Sequence, residues 1–230
     1  MTIYATSDLH GQLDGLNPSL HDVCVIAGDI GPLKGFGPWH IHDQAKWMRK
    51  QFCGFCKKFP EIEFIIIPGN HDWAAMKQID SENQVDNRVE FPPNVHLLID
   101  SEVTVKGKRF YGTPWVPIIN YRWAYEADSY TLMEKFEKIP DGIDVLVTHS
   151  PPYIAGNNFI DVSLQHGGMT HFGSKELAEA VLRKRPKVVF SGHIHSGDHT
   201  EQNFDGVRCF NVSRIDERYE IAYEPTTVTI

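Results

Sequence analysis

Residues 62–72 read IEFIIIPGNHD, an apolar and mostly β-branched run that passes directly into Pro, Gly and three polar residues. A short apolar run that ends at Pro or Gly is typical of a strand buried on both faces. Polar residues just beyond such a strand lie where α/β proteins place their chemistry. The stretch therefore predicts a buried strand over 62–67 with a candidate site at its carboxyl end.

The same pattern occurs elsewhere in the chain. Four more apolar runs end in turns rich in Gly, Pro, His or Asp, and they cover residues 2–7, 22–27, 143–148 and 187–191. Each is bounded by Gly, Pro or a polar turn, as expected of strands separated by helices or loops. The repetition predicts a sheet-based α/β fold with several polar turns at strand ends.

Two helices are predicted between these strands. Apolar residues recur at three- and four-residue spacing over 43–59, which indicates one buried helix face. Ser174 is a candidate N-cap of the second helix, and Pro186 ends it. The buried faces are predicted to contain Met48, Phe52, Phe55 and Phe59 in the first helix and Leu177, Val181 and Leu182 in the second.

The remaining stretches alternate polar and apolar residues around turn signals. Residues 103–110 are predicted to form a hairpin, and 199–210 and 218–230 are predicted to be antiparallel strands that close a second sheet. The predicted fold class is α/β (α+β), a two-sheet β-sandwich flanked by helices. No Pro- or Ser-rich linker divides the sequence, so residues 1–230 are expected to form one domain.

Composition excludes several classes of protein. The chain has 22 Lys and Arg against 30 Asp and Glu, a net charge of −8, and no basic stripe for a long nucleic acid. No apolar run reaches the ~18 residues of a membrane-spanning helix, so no membrane partner is expected. Without a visible signal peptide, the four cysteines are expected to be reduced thiols of a cytoplasmic protein, including the pair in Cys53-Gly54-Phe55-Cys56.

Metal-ligand residue types follow all five predicted strands. In an extended backbone, residues i and i+2 point to the same side, so such a pair can converge on one point. Mixed imidazole and carboxylate donors suit Zn, Mn or Fe better than Ca or Mg. The candidate ligands are Asp8, His10, Asp29, Asn70, His149, His193 and His195, and His71 lies beside them.

These blocks, in this order, resemble those of the calcineurin-like metallophosphoesterases. The matching blocks are Asp8-Leu9-His10, Gly28-Asp29, Gly69-Asn70-His71-Asp72, Thr148-His149 and Gly192-His193-Ile194-His195. Residues 148–152 and 186–213 also resemble the small bacterial and brain-type, phosphodiesterase-like branch. The resemblance implies a β-sandwich flanked by helices and a binuclear metal site.

The resemblance also implies roles for the individual residues. Two divalent ions (Mn²⁺, Fe²⁺/Fe³⁺ or Zn²⁺) would activate a bridging hydroxide that attacks the phosphorus atom. His71 would stabilise the developing charge or protonate the leaving group. The position of Asp72 directly after His71 leaves two interpretations open: a hydrogen bond that fixes the His71 tautomer, or a turn-forming aspartate. One ion would be held by Asp8, His10, Asp29 and His195, and the other by Asp29, Asn70, His149 and His193.

The predicted function is hydrolysis of small phosphomonoesters or phosphodiesters, cyclic nucleotides among them. No Arg follows Asp72 in Trp73-Ala74-Ala75-Met76, which argues against a protein phosphatase. Three alternatives stay open at this point: a nuclease of the same superfamily, a metal-binding scaffold or regulator without turnover, and a mononuclear zinc hydrolase.

Further hypotheses concern the long loop between His149 and His193, and two tryptophans outside it. Tyr153, His166 and His171 are candidate substrate contacts because long loops near strand ends often shape access to a site. Trp115 and Trp123 are interpreted as packing residues.

Overall fold

The computed structural model describes residues 1–33, 40–75, 89–154, 160–163 and 170–230. Within these residues two main sheets form, and no described helix is long and apolar enough to cross a lipid bilayer. The architecture is a mixed α/β fold, in agreement with the predicted class.

The first sheet has five strands. They are β1 (Thr2–Thr6), β2 (Val23–Ala27), β3 (Glu63–Ile67), β4 (Val95–Leu97) and β15 (Thr226–Thr229), in the spatial order β15-β1-β2-β3-β4. β1 to β4 run parallel, and β15 pairs antiparallel with β1. The prediction that residues 218–230 close the second sheet is wrong, because the only strand of this segment, β15, adds to the first sheet through Val228, which is buried in the core.

The second sheet has six strands. They are β5 (Ser101–Val105), β6 (Lys108–Thr113), β9 (Val145–Thr148), β12 (Val188–Ser191), β13 (Gln202–Phe204) and β14 (Val207–Asn211), in the spatial order β13-β14-β12-β9-β6-β5. The four central strands are parallel, and each edge is an antiparallel hairpin, as predicted for 103–110 and 199–210. Two small pairs complete the strands: β7 (Val116–Pro117) with β8 (Glu126–Ala127), and β10 (Val162–Ser163) with β11 (Thr170–His171).

The helices are short. The predicted helix over 43–59 is observed as α1 (Ile41–Trp47), a π-helical segment (Met48–Phe52) and α2 (Cys53–Cys56). The others are α3 (Ser129–Glu137), α4 (Lys175–Lys184) and a 3-10 turn (Trp73–Ala75). Ser174 caps α4 as predicted, because its Oγ accepts a hydrogen bond from Leu177 N at 3.1 Å. The prediction that Leu182 faces the core is wrong: it is 37% exposed, since it lies one position past Val181 around the helix.

Three apolar clusters show how these elements pack. The central cluster joins the inner faces of the two sheets and includes Ile65 and Phe190. The outer face of the first sheet packs against the segment 41–56 through Phe52, and that of the second against α3 and α4 through Phe136 and Val181. The layers are therefore helix, sheet, sheet, helix, and the four cysteines lie free and buried among them.

The two sheets meet at the carboxyl ends of their central strands. His149, just after β9, places its Nδ1 2.8 Å from the carbonyl oxygen of Ala27 at the end of β2. Ser7 and Ser213, which follow β1 and β14, form a parallel bridge at the same edge. The polar turns of both sheets therefore converge on one place.

Candidate metal centre

All seven predicted ligands lie at this shared edge, after β1, β2, β3, β9 and β12. Three groups of ligand-type atoms each lie within 4.8 Å of one another: Asp8, His10 and His195; His10, Asp29 and His71; and Asp8, Asp29 and His149. The groups overlap through Asp8, His10 and Asp29, so they form one continuous cluster of donors, all buried except the partly exposed His71.

Asn70 and His193 complete the cluster. The side-chain oxygen of Asn70 lies 2.9 Å from His149 Nε2, and the His193 ring lies 5.0 Å from that of His149, centroid to centroid. The backbone N–H of His193 donates to the Asp8 carboxylate at 3.0 Å. The structure therefore brings every residue of the predicted ligand set together.

The backbone at four of the candidate ligands is not extended. Asp8, His10, Asp29 and His193 have φ values of 53°, 42°, 51° and 69°, in the left-handed region that non-glycine residues rarely adopt. The expected i, i+2 geometry of an extended strand end is therefore wrong, and sharp turns bring the side chains together instead. Such conformations persist where surrounding contacts enforce them, and they concentrate at functional sites.

Asp29 is the central anion of the cluster. Its Oδ2 lies 3.3 Å from His149 Nε2, 3.8 Å from His10 Nε2 and 3.8 Å from His71 Nε2, and its Oδ1 accepts the His71 backbone N–H at 2.8 Å. Burial opposes ionisation, but the neighbouring His149 and His71 outweigh it and hold the pKa of Asp29 well below its usual value. Gly69 permits this approach, because a Cβ there would lie 2.2 Å from Asp29 Oδ1.

The pKa values of the clustered histidines differ because their surroundings differ. Burial acts against the charged ring of His149, yet the charge of Asp29 and the hydrogen bond to it raise the pKa to about 9. Burial likewise opposes protonation of His195, but Asp8, 3.4 Å away, raises its pKa. Burial dominates at His10 and His193 and lowers their pKa to about 4 and about 3.

A cation fits this cluster chemically. Both ring nitrogens of His10 are buried and have no hydrogen-bond partner among the described residues, although buried polar atoms are normally paired. Asp8 and Asp29 are almost completely buried, and their only ion-pair partners within the described residues are histidines. Imidazole, carboxylate and amide oxygen are donors that Zn, Mn or Fe accept.

We expect metal affinity to rise with pH. A charged imidazole must lose one of its two ring protons before it can bind a metal ion. His149 stays charged in the metal-free protein up to a pH near its pKa of about 9, so protons compete with the metal below that pH. The charged His149–Asp29 pair stabilises the metal-free fold below the unfolded pKa of 6.5, and this contribution is lost as pH rises through about 9. Titration calorimetry with Zn²⁺ in buffers of different ionisation enthalpy should show proton release and tighter binding at pH 9 than at pH 6.5; equal affinity at both would contradict this charge state.

Of the two interpretations of Asp72, the structure agrees with the turn-forming one. Its carboxylate accepts hydrogen bonds from the backbone N–H groups of Ile30, Gly31 and Gly69 at 2.7–2.9 Å, and within the described residues it makes no hydrogen bond to the His71 ring. Burial, with the charge of Asp29, raises the pKa of Asp72 to about 6. Asp72 therefore joins the turns after β2 and β3, which carry Asp29 and Asn70.

Two aromatic residues near the cluster were not predicted as site residues. The Trp123 ring lies 4.2 Å from the His71 ring, and the N–H of Ala124 donates to the carbonyl of Asn70 at 3.0 Å. Trp123 is therefore a packing residue whose partner belongs to the site. Tyr219 places its ring 5.1 Å from His10 and 5.3 Å from His195. The strand-end motifs consist of Asp, Asn and His, so no motif marked these two positions.

The other candidate residues lie apart from the cluster. Trp115 packs as predicted, with Lys135 4.0 Å above its ring and its Nε1 donating to Asp100. His171 pairs with Asp161 at 2.9 Å and lies 5.2 Å from the Tyr153 ring, and neither ring contacts a ligand residue within the described chain. His166 lies outside the described residues. A substrate contact from this loop stays a prediction.

Comparison with known proteins agrees with the site. The family profile described as calcineurin-like phosphoesterase matches residues 1–197. The human metallophosphoesterase domain-containing protein 1 is 31% identical over 211 residues, 83% of this chain and 59% of the relative, so this chain spans about three fifths of that protein's length.

Solved structures show the same fold. The protein TT1561 of Thermus thermophilus superimposes with a TM-score of 0.60 at 14% sequence identity. The superposition covers 99% of this chain and 97% of TT1561. A phosphopantetheinyl hydrolase of Mycobacterium tuberculosis superimposes with a TM-score of 0.53 at 17% sequence identity. That superposition covers 95% of this chain and 90% of the hydrolase chain. The profile match, the relative and the architecture lead to one conclusion: the chain belongs to the calcineurin-like phosphoesterase family.

Proposed function

We propose that this protein is a binuclear metal-dependent phosphoesterase that hydrolyses small phosphomonoesters or phosphodiesters. The observation that supports it most is the overlap of the three donor groups through Asp8, His10 and Asp29. A mononuclear site needs about four ligands, whereas this cluster offers more donors around two buried carboxylates. The proposed ligands are Asp8, His10, Asp29 and His195 for one ion and Asp29, Asn70, His149 and His193 for the other.

When bound, the two ions would supply an activated water and positive charge for the phosphoryl oxygens. The chain's own residues would orient the reaction. The Asp29 carboxylate accepts the N–H of His71, which fixes its position, and it would be shared by both ligand sets. Ala27 O accepts from His149 Nδ1, which leaves Nε2 directed at Asp29 and Asn70. Asp72 holds together the two turns that carry Asp29 and Asn70.

His71 is the proposed partner of the leaving group. Its side chain is 13% exposed, the largest exposure of the histidines paired with Asp29, and burial lowers its pKa. A neutral imidazole can donate one N–H to a phosphoryl or leaving oxygen. Trp123 packs on the ring and limits its rotation.

The charge of the protein supports a small substrate. A net charge of −8 disfavours long nucleic acids, whose binding rests on neutralised phosphates. We therefore place the nuclease second and the scaffold without turnover third. Cleavage of duplex or single-stranded DNA, with no turnover of small esters, would favour the nuclease.

The proposal is tested by the hydrolysis of bis-p-nitrophenyl phosphate and p-nitrophenyl phosphate with Mn²⁺, Fe²⁺ or Zn²⁺ and after chelation. Metal-dependent release of p-nitrophenol from either ester supports it. Failure to hydrolyse both, in protein with two counted ions per chain, would contradict it.

His71→Ala should lower kcat by about 10²–10⁴-fold, the usual contribution of a positioned proton donor. The loss should be greater for alkyl leaving groups than for p-nitrophenolate, which needs no proton. Bound metal, counted by plasma mass spectrometry, should stay at the wild-type level. The matched control is His96→Ala, which removes a histidine paired with Glu63 at 2.7 Å, near the start of β3 and away from the site. Equal losses for both leaving groups would argue against the proton role.

A further inference from the structure

Tyr219 lies beyond residues 1–197, the part matched by the family profile, yet its ring contacts two histidines of the donor cluster. The ring meets His10 at 73° and His195 at 89°, both edge-on contacts. His10 and His195 belong to one donor group with Asp8. A side chain from the C-terminal segment therefore forms part of the wall of the site.

The backbone holds this ring in a strained conformation. Tyr219 has a φ of 63°, in the left-handed region, where a bulky residue is an outlier. Asp216 fixes the turn: its carboxylate accepts the N–H groups of Arg218 and Glu220, and its carbonyl accepts that of Tyr219. Strain that many hydrogen bonds maintain is typical of functional positions.

The turn 216–220 is also tied to two ligand loops. The carbonyl oxygen of Asp216 lies 3.2 Å from His195 Nδ1 and orients that ring. Gln12 Nε2 donates to the carbonyl of Tyr219 at 3.1 Å, two residues after His10. The position of the Tyr219 ring is thereby fixed relative to the donors.

The ring is only partly covered. Tyr219 is 40% exposed, so part of its surface packs on the histidines and part faces solvent beside the cluster. An uncharged aromatic surface beside a phosphoryl site suits a planar, apolar substituent.

We propose that Tyr219 is a specificity-determining residue whose exposed ring contacts a planar, apolar group of the substrate ester while the phosphoryl group occupies the metal centre. This inference rests on the proposed function. It differs from a purely supporting role, in which the ring would only hold His10 and His195 in place.

The test is binding of phenylphosphonate and methylphosphonate, whose phosphorus–carbon bonds are not hydrolysed. Titration calorimetry on protein with counted metal ions should give a Kd about 10-fold lower for phenylphosphonate, the size of one aromatic contact. Tyr219→Ala should abolish this preference and leave the Kd of methylphosphonate nearly unchanged.

Further variants separate the ring from its supporting contacts. Tyr219→Phe keeps the planar face and should keep the preference. Tyr219→Leu keeps an apolar side chain against the histidines but has no planar face, and it should lose the preference even if the alanine variant folds poorly. Tyr130→Ala, which removes a 69% exposed tyrosine of α3, is the control and should behave as wild type.

Three results would overturn the inference: equal affinity of wild type for both phosphonates, a preference that survives in the alanine and leucine variants, or an equal loss of affinity for both ligands. Turnover of bis-p-nitrophenyl phosphate is measured on the same preparations. A phenyl preference without turnover counts against the proposed function alone, whereas turnover without the preference counts against Tyr219 alone.

Discussion

Asp29→Asn is expected to lower kcat by about 10³-fold or more, because one carboxylate is proposed to serve both ions of a two-metal clamp. Asp29 contacts His10, His71 and His149 and is 1% exposed, so solvent cannot compensate for the loss of its negative charge. The amide has nearly the same shape and can still accept the His71 N–H. The variant should therefore fold and bind fewer ions per chain, as measured by plasma mass spectrometry together with steady-state kinetics.

Asp100→Asn is the matched control for this change. Asp100 also has a left-handed backbone, with φ 47°, and its carboxylate also has several partners, Thr113, Trp115 and Lys135. It lies outside the donor cluster, so its variant should keep wild-type turnover and metal content. Wild-type turnover in Asp29→Asn would be incompatible with a shared carboxylate.

Gly192→Ala is expected to destabilise the protein by about 2–4 kcal/mol, more than most single substitutions, and to remove activity. A Cβ at this position would lie 2.0 Å from Ser7 Oγ and 2.3 Å from Asp8 Oδ2, far inside van der Waals contact. Ser7 and Asp8 are completely buried, so neither side chain can swing into solvent. Denaturant unfolding of the metal-free protein measures the loss.

Gly54→Ala provides the comparison. A Cβ there has nothing within 4 Å, and the residue lies in α2. Alanine in a helix is favoured over glycine by about 0.5–1 kcal/mol, so this variant should be as stable as wild type or more stable. If Gly192→Ala unfolds like Gly54→Ala, the close approach of β12 to the Asp8 turn is not present in solution.

The sequence predicts which strand ends carry the clustered Asp, Asn and His residues, because each candidate ligand directly follows an apolar run. Apolar runs such as 62–67 indicate buried strands, and parallel strands place their carboxyl ends at a common edge. Asp29 and His71, which follow the neighbouring strands β2 and β3, therefore meet at 2.8 Å. Packing of the second sheet against the first then brings His149 to 2.9 Å from Asn70. The helix over 43–59 and the Ser174 cap follow equally local rules, periodicity and a single hydrogen bond.

Other features depend on contacts that local patterns do not contain. The left-handed turns at Asp8 and Asp29 arise from hydrogen bonds between separate loops, such as Asp8 N–H to Gly28 O. Asp72 binds three backbone groups that no motif reveals. Strand β15 pairs with the free edge of β1, and Tyr219 reaches the site only because residues 216–220 form a tight turn. Contacts between residues far apart in sequence therefore determine which strands lie at the sheet edges, how the turns are shaped and which side chains line the site.

The most direct test of the two-metal account is to titrate Mn²⁺ into chelator-treated, metal-free protein while counting bound ions and following bis-p-nitrophenyl phosphate hydrolysis. The account predicts no turnover without metal, two ions per chain at saturation and full activity only as the second ion binds, with Asp29→Asn failing to reach that state. Activity in the metal-free protein, or full activity with saturation at one ion per chain, would contradict it.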